Sequence, residues 1–233
     1  MRIKKTILKD FLNKATMDGG ETINEARLDF KETGLNISAV ASSLVSMVFG
    51  QLNSGTFSDY EAIGEIGVSN IKTLVRVINS FKSEIEIIVQ GNVIILKEGS
   101  RSVDVELSSL QYIAASRTAP KLEFGESFEI QADLIHSFIK DASVNSEFHI
   151  YIATVPQGLM LSNTGTYKFR ENIVNTAIVG GFKTKYGSGL VAAFKNLSGL
   201  VKISMKTDYP IKIEEVTDDY SLTIISAPVM DAK

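Results

Sequence analysis

The feature that most constrains this chain is a helical pattern that occurs twice. In residues 6–15, TILKDFLNKA, the apolar side chains of Ile7, Leu8, Phe11, Leu12 and Ala15 fall at i, i+1, i+4, i+5 and i+8. Leu134, Ile135, Phe138, Ile139 and Ala142 repeat that spacing in residues 133–142, DLIHSFIKDA. Residues three and four apart share a helix face, so each segment is an amphipathic helix with one stripe to bury. A second landmark also recurs, because Gly34-Leu35-Asn36-Ile37-Ser38 is echoed by Gly158-Leu159-Met160-Leu161-Ser162. Two signals repeated at nearly the same interval read as two copies of one module. The 233 residues divide into two domains of ordinary size, each long enough for its own core.

The first helix is expected to end near Gly19-Gly20. Residues 25–31, EARLDFK, alternate with Leu28 and Phe30 on one face, the pattern of a half-buried strand. Gly34 turns the chain into a strand at LNISAV, and residues 42–52 read as another. Residues 53–65 form a loop feeding a short strand. A second helix starts with Ser69 as N-cap and buries Ile71, Leu74, Val75 and Ile78. Strands follow at 84–89, 93–96 and 103–107. The second module replays this with strands at 122–130, 147–153, 159–162 and near 173–179, and a helix near 187–197 that buries Leu190, Val191 and Phe194. Strands at 201–205, 211–215 and 221–225 complete it. Residues 108–121 lose periodicity and fit a surface connector. The modules are placed at 1–117, which includes most of the connector, and 118–233. The fold class is α+β, each module packing two helices on antiparallel sheet.

Composition removes several functions. Hydrophobic residues make up 44% and charged residues 22% of the chain, which is globular composition, and no apolar run is long enough to span a bilayer. Charges interrupt MRIKKTILKDF too early for a signal peptide, so the chain reads as soluble and intracellular. It has no Cys and only His136 and His149, which removes disulfides, thiol chemistry and multi-histidine metal sites. Both histidines read as surface residues. Glu214-Glu215 and Asp218-Asp219 read as a solvated turn, and Gly187-Ser188-Gly189 as a weak helix start. Neither catalytic residues nor a cofactor are expected. A net charge of -3 argues against a generally basic nucleic-acid binder, but the helices are locally basic. Lys5, Lys9 and Lys14, then Lys72 and Arg76, then Lys140, then Lys185 and Lys195 lie away from the apolar stripes. Gathered on one surface, they form a phosphate-facing lining that reads no bases.

Residues 22–47, TINEARLDFKETGLNISAVASSLVSM, resemble the DNA sliding clamps of the proliferating-cell-nuclear-antigen type. YPIKIEE from Tyr209 and SLTIISAPV at 221–229 are similar to that family's closing strands. The resemblance implies a DNA-clamp fold assembled into a ring, commonly a trimer, that encircles duplex DNA without sequence preference. Such a ring tethers DNA polymerase and other partner peptides and is opened by a clamp loader. It implies residence in the nucleus for a eukaryotic source, or in the cytoplasm or nucleoid for an archaeal or viral one. DNA-facing residues matched to the family are Lys14, Arg76, Lys140 and Lys185; helical phase adds Lys9, Lys72 and Lys195. The implied partner-peptide groove comprises Val40, Leu44, Met47, Ile113, Pro210, Ile225, Ala227 and Pro228. The subunit interface is expected to pair the strand of Val103, Val105 and Leu107 with a neighbour's strand carrying Ile173, Ala177 and Val179. The alternatives are a subunit of a hetero-oligomeric clamp, as in checkpoint-type clamps, and a small-ligand enzyme on a duplicated fold.

Overall fold

Among the described residues, the same ten strands and helices occur twice in the same order. The computed structural model describes residues 1–17, 22–174 and 181–230. The first ten elements are β1 (Arg2–Lys4), α1 (Lys5–Ala15), β2 (Ala26–Lys31), β3 (Gly34–Val40), β4 (Ser46–Asn53), β5 (Gly64–Val68), α2 (Ile71–Asn79), β6 (Glu84–Gln90), β7 (Val93–Glu98) and β8 (Arg101–Glu106). The second ten are β9 (Glu126–Gln131), α3 (Ala132–Ala142), β10 (Ile150–Val155), β11 (Gly158–Asn163), β12 (Arg170–Val174), β13 (Lys183–Tyr186), α4 (Ser188–Phe194), β14 (Leu200–Met205), β15 (Ile211–Val216) and β16 (Tyr220–Ser226).

Sheet topology repeats as well. The orders β1-β6-β7-β8 and β5-β2-β3-β4 in the first set become β9-β14-β15-β16 and β13-β10-β11-β12 in the second. All the described pairings whose registers are defined are antiparallel. The chain divides into two compact units, Met1–Pro120 with Val216–Thr223, and Lys121–Glu215 with Ile224–Lys233. The division therefore falls three residues beyond the expected boundary at Arg117. It also cuts β16: residues 220–223 count with the first unit, where β16 neighbours β4.

In the first unit α1 packs against α2, and Phe11, Leu12, Leu52, Ile71, Ile78 and Phe81 are fully buried. In the second, α3 packs against α4 over a core that includes Ile135, Phe138, Tyr186, Leu190 and Phe194. Burying a side chain of this size contributes about 1.5–3 kcal/mol, so the two apolar stripes legible in the sequence fix which helix face points inward. The two echoed glycines open β3 and β11 with φ of 134° and 143°. A Cβ on Gly34 would lie 2.0 Å from the Leu52 carbonyl oxygen, so only glycine fits where β3 starts against β4.

The structure corrects several boundaries. The strand expected at 42–52 begins only at Ser46, because residues 41–45 form a tight turn. Its Leu44 has φ 59°, the Leu44 N–H donates to the Ala41 carbonyl at 2.8 Å, and the Ala41 N–H donates to the Ser46 carbonyl at 2.9 Å. The N-cap of α2 is Asn70 rather than Ser69: the Asn70 side chain accepts from the Thr73 N–H at 2.8 Å. β9 starts at Glu126, four residues later than expected, and α4 ends at Phe194. Strands β1 and β13 were not anticipated. Glu215 lies in β15 and is buried, so only Asp218-Asp219 of the two acidic pairs occupies a turn. The expected helix end at Gly19-Gly20 lies outside the described residues, as do Ala177 and Val179.

Candidate nucleic-acid interface

Each helix buries its stripe, but the open faces are not all basic: α3 exposes Asp133 and Asp141 beside Lys140, and α4 carries no charged residue of its own. On α1, Leu8, Phe11, Leu12 and Ala15 point inward and Lys9 is half-exposed. Lys14 corrects the expectation, since it is only 3% exposed. Its ammonium donates to the Tyr220 hydroxyl at 2.6 Å and lies 3.1 Å from an Asp10 carboxylate oxygen. The Tyr220 hydroxyl donates to the same Asp10 oxygen at 3.2 Å. At about 100° per residue, Lys14 stands only about 60° around the helix from Phe11, on the flank of the buried stripe. Tyr220 packs beside Phe11 with ring centroids 5.9 Å apart, and its hydroxyl draws the lysine toward it.

On α2, Ile71, Leu74, Val75 and Ile78 are buried, and Lys72 and Arg76 share the opposite face at i, i+4. Arg76 is exposed and makes no ion pair among the described residues. With no acid in its first turn, the α2 face is uniformly positive. On α3 Lys140 and His136 are both exposed, His136 being the surface residue it reads as in the sequence. On α4, Lys195 is the exposed C-cap. Lys185 is not on that helix. It belongs to β13, where Thr184 and Tyr186 are buried and Lys185 faces the other way, paired across the ladder with Tyr151.

The apolar positions of the expected partner groove fall into two kinds. In the first unit, Val40 and Met47 pair at the turn end of the β3–β4 hairpin, and the turn between them carries Leu44, 80% exposed, with the exposed Val45 beside it. Ile113 is buried instead, at 4% exposure, which corrects its placement as an open apolar residue in the connector. Arg27 fixes that segment. Its guanidinium donates to the Leu110 carbonyl at 2.8 Å and the Ile113 carbonyl at 3.1 Å, and is held by Glu65 at 3.0 Å. Sequence reasoning missed Arg27, which sits in an alternating strand and gave no signal of its own. Further along, the Ser38 hydroxyl donates to the Arg117 carbonyl and accepts from the Arg117 N–H, at 2.7 and 2.9 Å. Between these strands and the connector lies a polar groove of about 330 Å³, floored by Asn36, Phe49 and Gln51. In the second unit Pro210, Ala227 and Pro228 are half-buried, whereas Ile225 is only 7% exposed and belongs to the core.

At the sheet edges, β8 has β7 as its only described neighbour and β12 has only β11. Val103 and Val105 are half-buried on one face of β8, Leu107 follows the strand with its N–H on the Asn92 carbonyl, and Ile173 is buried on β12. Among the described residues, no group of three His, Cys, Asp or Glu side chains is placed to hold a metal ion, and no helix is long and apolar enough to cross a membrane.

Two α+β modules with paired helices and repeated antiparallel sheets define the fold of the sliding clamps. Against A. fulgidus PCNA bound to the C-terminal region of FEN-1, the match covers 100% of this chain and 98% of that one, with a TM-score of 0.85 and 21% identity. Proliferating Cellular Nuclear Antigen from Entamoeba histolytica matches over 98% of both chains, with a TM-score of 0.83 and 15% identity. In sequence, the chain is 22% identical over 234 residues to the DNA polymerase sliding clamp of Nanoarchaeum equitans, covering 91% of this chain and 92% of that protein. No protein-family model matches the chain. The chain resembles the sliding clamps of the proliferating-cell-nuclear-antigen type in sequence and has their fold.

Proposed function

We propose that this protein is a ring-forming sliding clamp that encircles duplex DNA and tethers DNA polymerase and other replication and repair proteins, without catalysing a reaction itself. The observation that carries this reading is the duplicated ten-element arrangement, shared over the full chain with solved clamps. The modules, placed at 1–117 and 118–233, present Lys9, Lys72, Arg76, Lys140 and Lys195 to DNA phosphates. Leu44, with Val40 and Met47, anchors bulky side chains of partner peptides. A clamp loader opens the ring, which acts wherever the genome is replicated.

The repeat also supports a closed ring. Within the first unit, β4 neighbours β16, and in the repeat β16 is the equivalent of β8 while β4 is the equivalent of β12. The chain thus already contains one join of this kind, and β8 and β12 are the matching edges left over. Head-to-tail pairing of these edges between copies, which removes two aggregation templates, closes the ring. Val105→Pro, which removes an N–H of the β7–β8 ladder and so breaks the edge strand, should release subunits.

The test is primer extension by a cognate polymerase on primed DNA. The protein should lengthen products on closed circles, and on linear templates only when the ends are blocked. Equal stimulation on open linear and circular DNA refutes encirclement, and a sequence-specific footprint contradicts phosphate-only contact.

A further inference from the structure

We infer that the subunits of the ring are matched by charge: Asp104 and Glu106 of one copy seat against Lys168 and Arg170 of the next. This rests on the edge-to-edge reading above and adds the charge match and the salt response of the joint.

On the faces turned away from the core the two edges carry opposite charge; Glu171 of β12 stands across from the buried Leu161 on the other face, and Arg101 of β8 donates to the Ser80 carbonyl. On β8, Ser102, Asp104 and Glu106 occupy the face opposite Val103 and Val105. Asp104 and Glu106 are exposed, stand across the ladder from Ile95 and Val93, and make no ion pair or hydrogen bond through their side chains among the described residues. On the other edge a groove of about 420 Å³ is lined by Lys168, Arg170, Lys183, Tyr151 and Ser162. No carboxylate lines it. Arg170 pairs across the ladder with Ser162, and Ser162 with Tyr151, so they share the face opposite the buried Leu161 and Ile152. The Lys183 ammonium sits over the Tyr151 ring at 4.6 Å, while Lys168 and Arg170 have no ion pair among the described residues.

The basic side is held in place. Asn163 accepts from the Phe169 N–H at 2.7 Å and Asn145 accepts from the Tyr167 N–H at 2.9 Å, and both asparagines are buried. Lys168 is thereby fixed beside Arg170 rather than swinging on a free loop.

Antiparallel pairing, the sense of every ladder whose register is defined among the described residues, places the end of β8 that carries Asp104 and Glu106 opposite the start of β12 at Arg170. Aligning the apolar faces of Val103, Val105 and Ile173 puts all four charged residues on the other face, within cross-strand reach. Opposite charges at that separation attract, and like charges there repel. An acidic β8 therefore repels another β8 and attracts a β12, which favours head-to-tail order. Exposed pairs are screened over about 8 Å at physiological ionic strength, so assembly weakens as salt rises.

The experiment is the solution mass of the full chain, by sedimentation across concentration and salt, with circular dichroism confirming that each variant is folded. Lys168→Glu with Arg170→Glu should weaken assembly by on the order of a hundredfold at low salt, and Asp104→Lys with Glu106→Lys similarly. All four changes in one chain should restore the wild-type mass, and that chain should not mix with wild type. If the wild type assembles but the reversed pairs assemble equally well, or the fourfold variant fails to recover, charge matching is wrong while the ring stands. A wild type that stays monomeric at every concentration overturns the ring reading as well.

Discussion

Tyr220→Phe isolates the contact that takes Lys14 away from the exposed helix face. The substitution keeps the ring beside Phe11 and deletes only the hydroxyl that accepts from the buried ammonium at 2.6 Å and donates to Asp10 at 3.2 Å. A hydrogen bond to a charged group contributes about 1.5–3 kcal/mol, and Asp10 at 3.1 Å remains as a partial replacement. The expected loss is therefore about 2 kcal/mol, roughly a thirtyfold rise in the unfolded fraction. For a chain of this length that lowers Tm by about 4–8 °C. Lys14→Met removes the buried charge and keeps most of its packing volume, so its own cost should be within about 1 kcal/mol. In that background Tyr220→Phe should cost well under half its wild-type value, because the hydroxyl no longer serves a charge. Urea unfolding of the four proteins, followed by circular dichroism at one protein concentration, measures the cycle. If Tyr220→Phe costs the same with and without Lys14, the lysine is not held by the hydroxyl and its burial has another cause.

Three further outcomes are expected. Replacing Lys9, Lys72, Arg76 and Lys140 by Ala should weaken DNA association and flatten its salt dependence by about 0.9 per lost phosphate contact, whereas Lys14→Ala alone should leave the slope unchanged in a filter or fluorescence titration. Leu44→Asp should abolish peptide binding with stability unchanged within about 0.5 kcal/mol, since the side chain is 80% exposed and its φ of 59° suits Asp. Ile225→Asp, by contrast, should cost at least about 2–5 kcal/mol, the loss of a buried Ile alone, so denaturant titration separates the two positions. Glu98 accepts from the Lys82 and Ser83 backbone N–H groups at 2.8 and 2.7 Å, which holds its carboxyl below the usual range. Its contribution is then full above the ordinary carboxylate pKa and disappears as pH falls through the lowered folded value. Glu98→Gln should accordingly flatten the acid limb of a stability-versus-pH curve and leave its shape above neutrality unchanged.

The sequence alone determined what depends on neighbours along the chain. The stripes of 6–15 and 133–142 are set by three- and four-residue spacing, and they became α1 and α3 within one residue. The Gly34 and Gly158 echo marked two positions where the backbone must take a positive φ, which is a property of glycine and of its own turn. The order of helices and strands followed, and with it the duplicated fold. Local pattern could not place the short strands β1 and β13, where charged residues interrupt three or four residues of pairing. It also read Leu44 and Val45 as strand interior, because an apolar run looks the same whether it is buried or displayed on a turn. The fate of Lys14, Ile113 and Ile225 was decided by contacts far along the chain or by core packing that no spacing encodes. Lys14 is buried by a tyrosine 206 residues away, and Ile113 is enclosed where Arg27, 86 residues earlier, gathers the connector carbonyls. Periodicity assigns a side chain to a helix face, but whether that face meets water, another strand or a distant hydroxyl is settled only when the units close around it.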